Sequence, residues 1–100
     1  IDDRPLTVDD ILEKVCQHYN VTTTQINSKS RKRDFVVARQ VSMYLMRSLT
    51  NLSLKDIGAE FEDRNHATVL SSIRKVEDLL QSDPAMAGTV RDITSNINSV

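Results

Sequence analysis

The sequence predicts an all-α fold, a helical bundle that contains a helix-turn-helix, and three observations predict it. Apolar residues recur at spacings of three and four along most of the 100-residue chain. Only two Gly and two Pro interrupt that pattern, which favours long regular elements over many turns. Strand-type alternation of apolar and polar residues is not evident. A chain of this length makes one domain with a modest core, and its 39% hydrophobic and 27% charged residues are ordinary for a globular protein.

Residues 1–6 read as the end of a linker closed by Pro5, and residues 7–98 as the helical domain. Thr7 reads as an N-cap, with Asp9 and Asp10 suited to the positive end of a helix dipole. Val8, Ile11, Leu12, Val15, Cys16 and Tyr19 follow at spacings of 3, 1, 3, 1 and 3. They make one apolar stripe of a helix that Asn20 can end. Residues 21–27 read as a cap and a single short helical turn that buries Val21 and Ile26. Residues 28–34 form a basic connector. A second long helix is predicted from about Phe35 to Thr50, with Val37, Ala38, Val41, Tyr44, Leu45 and Leu49 inward and Arg39, Gln40 and Arg47 off the centre of that stripe.

Ser53-Leu-Lys-Asp56 has the capping-box pattern, with Asp in place of the usual Glu. It opens a short helix that buries Leu54, Ile57 and Phe61, with Gly58 placed to let another helix approach. Glu62-Asp63-Arg64 reads as a tight connection and Asn65 as the N-cap of a helix running to about Ser82. Val69, Ile73, Val76 and Leu80 are its core stripe. Asp83-Pro84 caps and starts a last helix with Met86, Val90, Ile93 and Ile97 inward.

Residues 53–82 thus outline a helix-turn-helix: a short helix with a small residue near its middle, a tight polar turn, and a longer helix with a polar, small-residue start. In that motif the first turn of the second helix touches base edges in the major groove of DNA. Here that turn is Asn65-His66-Ala67-Thr68. His66 can donate to or accept from a base edge, and the methyls of Ala67 and Thr68 can touch thymine methyls. Taken alone, the same pattern describes an ordinary helical corner with a surface histidine.

Charge supplies the second signal. The formal net charge is −1, but residues 29–75 carry ten Lys or Arg against five acids, a local net of +5. The rest of the chain nets −6. Such a molecule can present a basic face to DNA while its far side repels it. Within Ser28-Lys-Ser-Arg-Lys-Arg-Asp34 four cations fall in five positions. An arginine-rich arm of this kind can lie in a narrow A·T-rich minor groove, or be a solvated loop. Arg39-Gln40 adds residue types that pair with guanine, adenine or phosphate, though in isolation it reads as a solvent-facing helix turn.

Two rival classes are weaker. A helical domain can act as a protein adaptor, and the acidic faces around residues 9–13 and 77–78 can bind a regulator. An enzyme is not indicated. Cys16 sits on an apolar stripe and reads as core, His18 two positions on faces another way, and no carboxylate pair or metal-ligand cluster stands out. No apolar run approaches the roughly 18 residues of a membrane span, no signal peptide is evident, and the amphipathic first helix has an acidic polar face, so membrane contact is not expected. A single cysteine excludes an internal disulfide and fits a reducing, cytoplasmic setting. The chain opens at Ile1 without a Met, which reads as a fragment of a longer protein.

The run Ile57-Gly-Ala-Glu-Phe-Glu-Asp-Arg-Asn-His-Ala-Thr-Val69 closely resembles the signature of the DnaA family of bacterial chromosomal replication initiators. Lys29-Ser-Arg-Lys-Arg, Ala38-Arg-Gln and Met43-Tyr-Leu45 match that family's basic loop and following helix. The resemblance extends from about Leu6 to Ile97 and is to the family's C-terminal DNA-binding domain, a fold akin to the Trp repressor. It implies binding to double-stranded DNA at A·T-rich DnaA boxes of the replication origin, in the cytoplasm of a bacterium. It places Arg31 in the minor groove, Arg39 and Gln40 at bases and nearby backbone, and Asn65, His66, Ala67 and Thr68 at major-groove bases. It sets Arg47, Leu54, Lys55, Ser71 and Lys75 near phosphates, and the other cations of the loop and turn, Lys29, Lys32, Arg33 and Arg64, are expected there too. Where the family usually has two glycines this chain has Glu62 and Asp63, and Asn65 and Ala67 replace the usual Asp and Thr. No Gly-rich run with Lys-Ser/Thr is present, so no cofactor is expected here. ATP and Mg are implied only for the full-length parent. The fragment is expected to be monomeric, with regulatory proteins as further partners.

Overall fold

The computed structural model describes residues 7–61 and 64–98. The linker expected at residues 1–6, and Glu62 and Asp63 of the expected tight connection, lie outside the described residues. Within them are six helices and no strand: α1 (Val8–Tyr19), α2 (Thr23–Asn27), α3 (Arg33–Leu49), α4 (Leu54–Glu60), α5 (His66–Ser82) and α6 (Pro84–Asn98).

Local chemistry fixes most helix ends. Thr7, Thr22 and Ser53 each accept from the backbone N–H three residues on, while Asp10, Gln25 and Asp56 accept from the cap's own N–H. These are complete capping boxes, each satisfying two orphan donors. Asn20 ends α1 at φ 56°, in the left-handed region, which Asn tolerates better than most residues. Asp83 Oδ1 accepts from the Ala85 N–H at 3.0 Å and Pro84 opens α6, where a missing N–H costs nothing.

α3 is the axis of the bundle and packs against α1, α2, α4 and α5. The core runs from Ile11 and Val15 of α1 through Ile26, Val41, Met43, Leu45 and Met46 to Ile57, Phe61, Val69, Val76 and Ile93. All of these are 1% exposed or less. The stripes predicted for α1, α5 and α6 are the faces that pack, with their outermost members half-buried. α3 differs. Beyond the expected stripe it also buries Arg39, Ser42, Met43 and Met46, because neighbours on several sides leave it a narrow solvent face. It also starts at Arg33, two residues before the predicted Phe35, so the basic connector shortens to residues 28–32.

Gly58 has a closer partner than the helix expected there. A Cβ at Gly58 would stand at an ordinary 3.5 Å from the Val69 side chain of α5, but 2.2 Å from the Arg64 carbonyl oxygen. The Gly58 carbonyl also accepts from the N–H groups of both Phe61 and Arg64 at 3.0 Å. A side chain at this position is excluded by backbone, which cannot swing aside. Gly58 thereby sets how closely the Arg64 backbone approaches α4, and so where α5 begins.

Candidate nucleic-acid interface

The start of α5 stands free of the core. Asn65, His66, Ala67 and Thr68 are all exposed, while Val69, one residue on, is fully buried. Asn65 caps the helix by accepting from the Ala67 N–H through Oδ1 at 2.6 Å. Its side-chain oxygen is therefore engaged with the helix backbone. Ser71 and Lys75 are exposed three and seven residues after Thr68. They continue its face along α5, well away from the buried Val69–Ile73–Val76 stripe.

Residues 28–32 are built by serine side chains. Ser28 Oγ donates to the Gln25 carbonyl at 2.7 Å and accepts from the Ser30 N–H at 3.3 Å. Ser30 Oγ in turn accepts from the Lys32 N–H at 3.2 Å. Two successive serine turns thus replace the simple extended arm expected from the charge run. Lys29, Arg31, Lys32 and Arg33 are exposed on this scaffold, and the Lys32 ammonium stands 5.2 Å from the Phe35 ring centroid, within cation–π range.

Arg39, expected at bases and nearby backbone, is instead turned into the fold. It is 8% exposed. Its Nε donates to the Ile26 carbonyl and one terminal amino group to the Ser28 carbonyl, both at 2.7 Å, with a longer 3.5 Å contact to the Ser30 carbonyl. The first two carbonyls lie at the C-terminal end of α2, where backbone acceptors are orphaned and the dipole is negative. Burial, and then the nearby charge of Arg64, lower the Arg39 guanidinium from its ordinary value, but an arginine stays charged. Its donors hold the loop. Gln40, beside it, is half-buried.

Arg64, expected at a phosphate, is also half-buried, and a terminal amino group donates to the Ser28 carbonyl at 3.2 Å across 36 residues of sequence. Its Nε is buried without a hydrogen-bond partner. The turn before α5 and the basic loop are therefore neighbours, joined through one carbonyl. Around the same edge Arg47, Ser53, Lys55, Arg64, Asn65 and His66 line an open hollow of about 680 Å³, with half-buried Leu54 and exposed Ala59 in its wall. Arg47 is exposed, with one amino group on the Leu52 carbonyl at 2.9 Å. Sequence spacing did not show Ser28 as the shared acceptor. The Ser28-x-Ser30 pattern that builds the loop was readable as turn chemistry, but the Arg39 and Arg64 bonds were not.

Among the described residues no group of three or more His, Cys, Asp or Glu could hold a metal ion, and no helix is long and apolar enough to cross a membrane. Cys16 is half-buried and its thiol is pushed up by burial, which withholds the thiolate that nucleophilic chemistry needs.

A short helix, a turn docked on that helix's buried glycine, and a longer helix whose polar first turn stands in solvent define a helix-turn-helix domain. Residues 8–76 match the family described as the bacterial dnaA protein helix-turn-helix. The chain is 40% identical over 95 residues to the chromosomal replication initiator protein DnaA of Lachnoclostridium phytofermentans, covering 95% of this chain and 21% of that protein. It is 39% identical over 92 residues to the same-named protein of Bacteroides thetaiotaomicron, covering 92% and 20%. With that of Rickettsia canadensis it shares 43% over 81 residues, covering 81% and 18%. The chain belongs to the bacterial DnaA helix-turn-helix family, and it spans about a fifth of the length of these relatives.

Proposed function

We propose that this chain is the sequence-specific double-stranded DNA-binding module of a replication initiator, acting at A·T-rich DnaA boxes. The single observation that carries this is the junction at Ser28: it puts the exposed tip of α5 and the cation-rich loop on one edge of the molecule. A tip inside the core, or a loop on the far side, would not serve one duplex. In this arrangement residues 65–68 enter the major groove. His66 offers a donor or acceptor, the Ala67 and Thr68 methyls meet thymine methyls, and the Asn65 NH₂ is available as a donor. Arg31 extends from the serine-built loop into the adjacent minor groove, where A·T-rich sequence concentrates negative potential. Lys29, Lys32, Arg33, Arg47, Lys55, Ser71 and Lys75, exposed around these two readers, hold phosphates and fix register without reading sequence. Leu54 and Gln40 contribute backbone or close contact at the rim. The remaining four-fifths of the parent would carry ATP and Mg and the origin-melting activity. This part acts as a monomer, in the bacterial cytoplasm.

Fluorescence-anisotropy titration of nine-base-pair A·T-rich candidate boxes against scrambled duplexes tests the proposal. With six exposed cations at phosphates, log affinity falls against log salt with a slope of about −5, from roughly −0.9 per phosphate. His66→Ala removes the preference for the cognate duplex and leaves weak nonspecific binding. Arg31→Ala costs about 1–3 kcal/mol on the cognate duplex. Equal affinity of the unaltered chain for cognate and scrambled duplexes rejects the proposal.

A further inference from the structure

We propose that Arg64 is a positioning residue that sets the minor-groove loop in register with the major-groove tip, rather than a phosphate contact. The inference rests on the DNA-binding function proposed above and assigns it a determinant of specificity.

Arg64 is tied at both of its ends. Its backbone N–H donates to the Gly58 carbonyl at 3.0 Å, and its own carbonyl lies where a Gly58 Cβ would have to be. The main chain at Arg64 is therefore held on α4. Its side chain crosses to the Ser28 carbonyl at 3.2 Å, the acceptor that Arg39 already holds at 2.7 Å from α3. The two arginines have different tasks. Arg39 fastens the loop to α2 and α3, so the loop persists without Arg64. Arg64 fastens the loop to the turn, and Asn65 and His66 follow it directly in the chain. Two like charges meeting at one carbonyl repel each other, and Nε of Arg64 is buried without a partner. A side chain meant only for a phosphate would extend into solvent as Lys55 does, and avoid both costs.

A reader of two grooves needs this register. A loop free to shift by an ångström or two relative to the tip would satisfy its groove only by losing contacts in the other. Removing the tie should then lower the benefit of Arg31 without removing Arg31 itself.

The test is a double-mutant cycle on the whole 100-residue chain, with R31A, R64Q and the double variant, each titrated with cognate and scrambled duplexes. R64Q is expected to lower cognate preference on the order of tenfold. It should leave the salt slope on scrambled duplex unchanged. In the R64Q background R31A is expected to cost less than about threefold, well below its effect in the unaltered chain. Equal R31A penalties in both backgrounds, with a salt slope shallower by about 0.9, make Arg64 a phosphate contact and overturn the proposal. A second measurement needs no DNA. Amide NMR shifts of residues 28–32 should move in R64Q and stay in place in K55Q; R64Q shifts confined to the turn also overturn it. If R64Q does not fold, R64M keeps the half-buried stem and repeats both measurements. Loss of all cognate preference in the unaltered chain counts against the DNA-binding function itself, and the NMR result still decides the tie.

Discussion

The edge that carries the loop and the α5 tip is assembled by different means from the side of the bundle where α1 and α6 pack together. The α1–α6 side uses apolar stripes and terminal caps, with Ile11, Val15 and Ile93 fully buried. The edge of the loop and the α5 tip also rests on apolar residues, with Ile57, Phe61 and Val69 fully buried, but these alone do not set its outline. Its shape comes from backbone carbonyls held by Arg39 and Arg64, from two serine turns, and from one glycine pressed against a carbonyl. Apolar packing tolerates volume-conserving change. Charged hydrogen bonds and a backbone contact tolerate less, because each depends on one geometry. A binding edge must keep its shape in water before the ligand arrives, and polar ties of this kind supply that preorganisation.

The two glycines show the difference most sharply. At Gly58 even a methyl group meets the Arg64 carbonyl at 2.2 Å, so Gly58→Val must push the turn off α4. The expected loss is about 3 kcal/mol or more, seen as a lowered denaturation midpoint, with the surviving folded chain losing cognate preference. Arg39→Ala comes next. It removes two 2.7 Å bonds to the Ile26 and Ser28 carbonyls and takes the charged donor from the buried Ile26 acceptor, while Ser28 keeps its bond from Arg64, for about 2–4 kcal/mol. Arg31→Ala, in the same basic stretch, should leave stability unchanged, since Arg31 is exposed. A melting temperature that falls for Arg31→Ala and not for Arg39→Ala would reverse the roles drawn here. Gly88 sits within α6, and a methyl group added there would meet nothing within 4 Å. Gly88→Ala should therefore stabilise the chain by about 0.5–1 kcal/mol and leave DNA affinity as it was.

Most of the fold was legible because its elements are amphipathic and capped by residues that act locally. Thr7, Ser53 and Asp83 announce their helices within three or four positions, and the stripes of α1, α5 and α6 follow helical spacing. The tip at residues 65–68 was legible for the same reason. What escaped was everything decided across sequence. Arg31 and Arg39 are the same residue type in one basic stretch, yet one is exposed and the other is 8% exposed. Only the end of α2 arriving beside α3 separates them. Arg64 reaches an acceptor 36 positions away, which no local pattern encodes. Gly58 is legible by half: its small size implies a close approach, but the group that comes closest is the turn's own carbonyl rather than a helix side chain.

The smallest effect lies on the α1 side and concerns alkaline pH. Burial pushes the Cys16 thiol up, and burial followed by the Asp34 carboxylate pushes the Tyr19 phenol up. Both groups hold their protons in the folded chain at pH values where the unfolded chain has begun to release them. The unfolded state then binds fewer protons, so stability falls as pH rises. The contribution is complete below the ordinary thiol and phenol ranges and is lost as pH climbs through the raised folded values. Thermal melts from neutral pH to about pH 11, past the ordinary phenol range near 10, should show a declining midpoint. Tyr19→Phe should flatten the upper part of that decline and Cys16→Ala the lower part. Asp34→Asn should flatten it less than Tyr19→Phe, because it removes only the smaller of the two causes. An arginine stays charged across this window, so Arg39 keeps its bonds to the Ile26 and Ser28 carbonyls while α1 loosens.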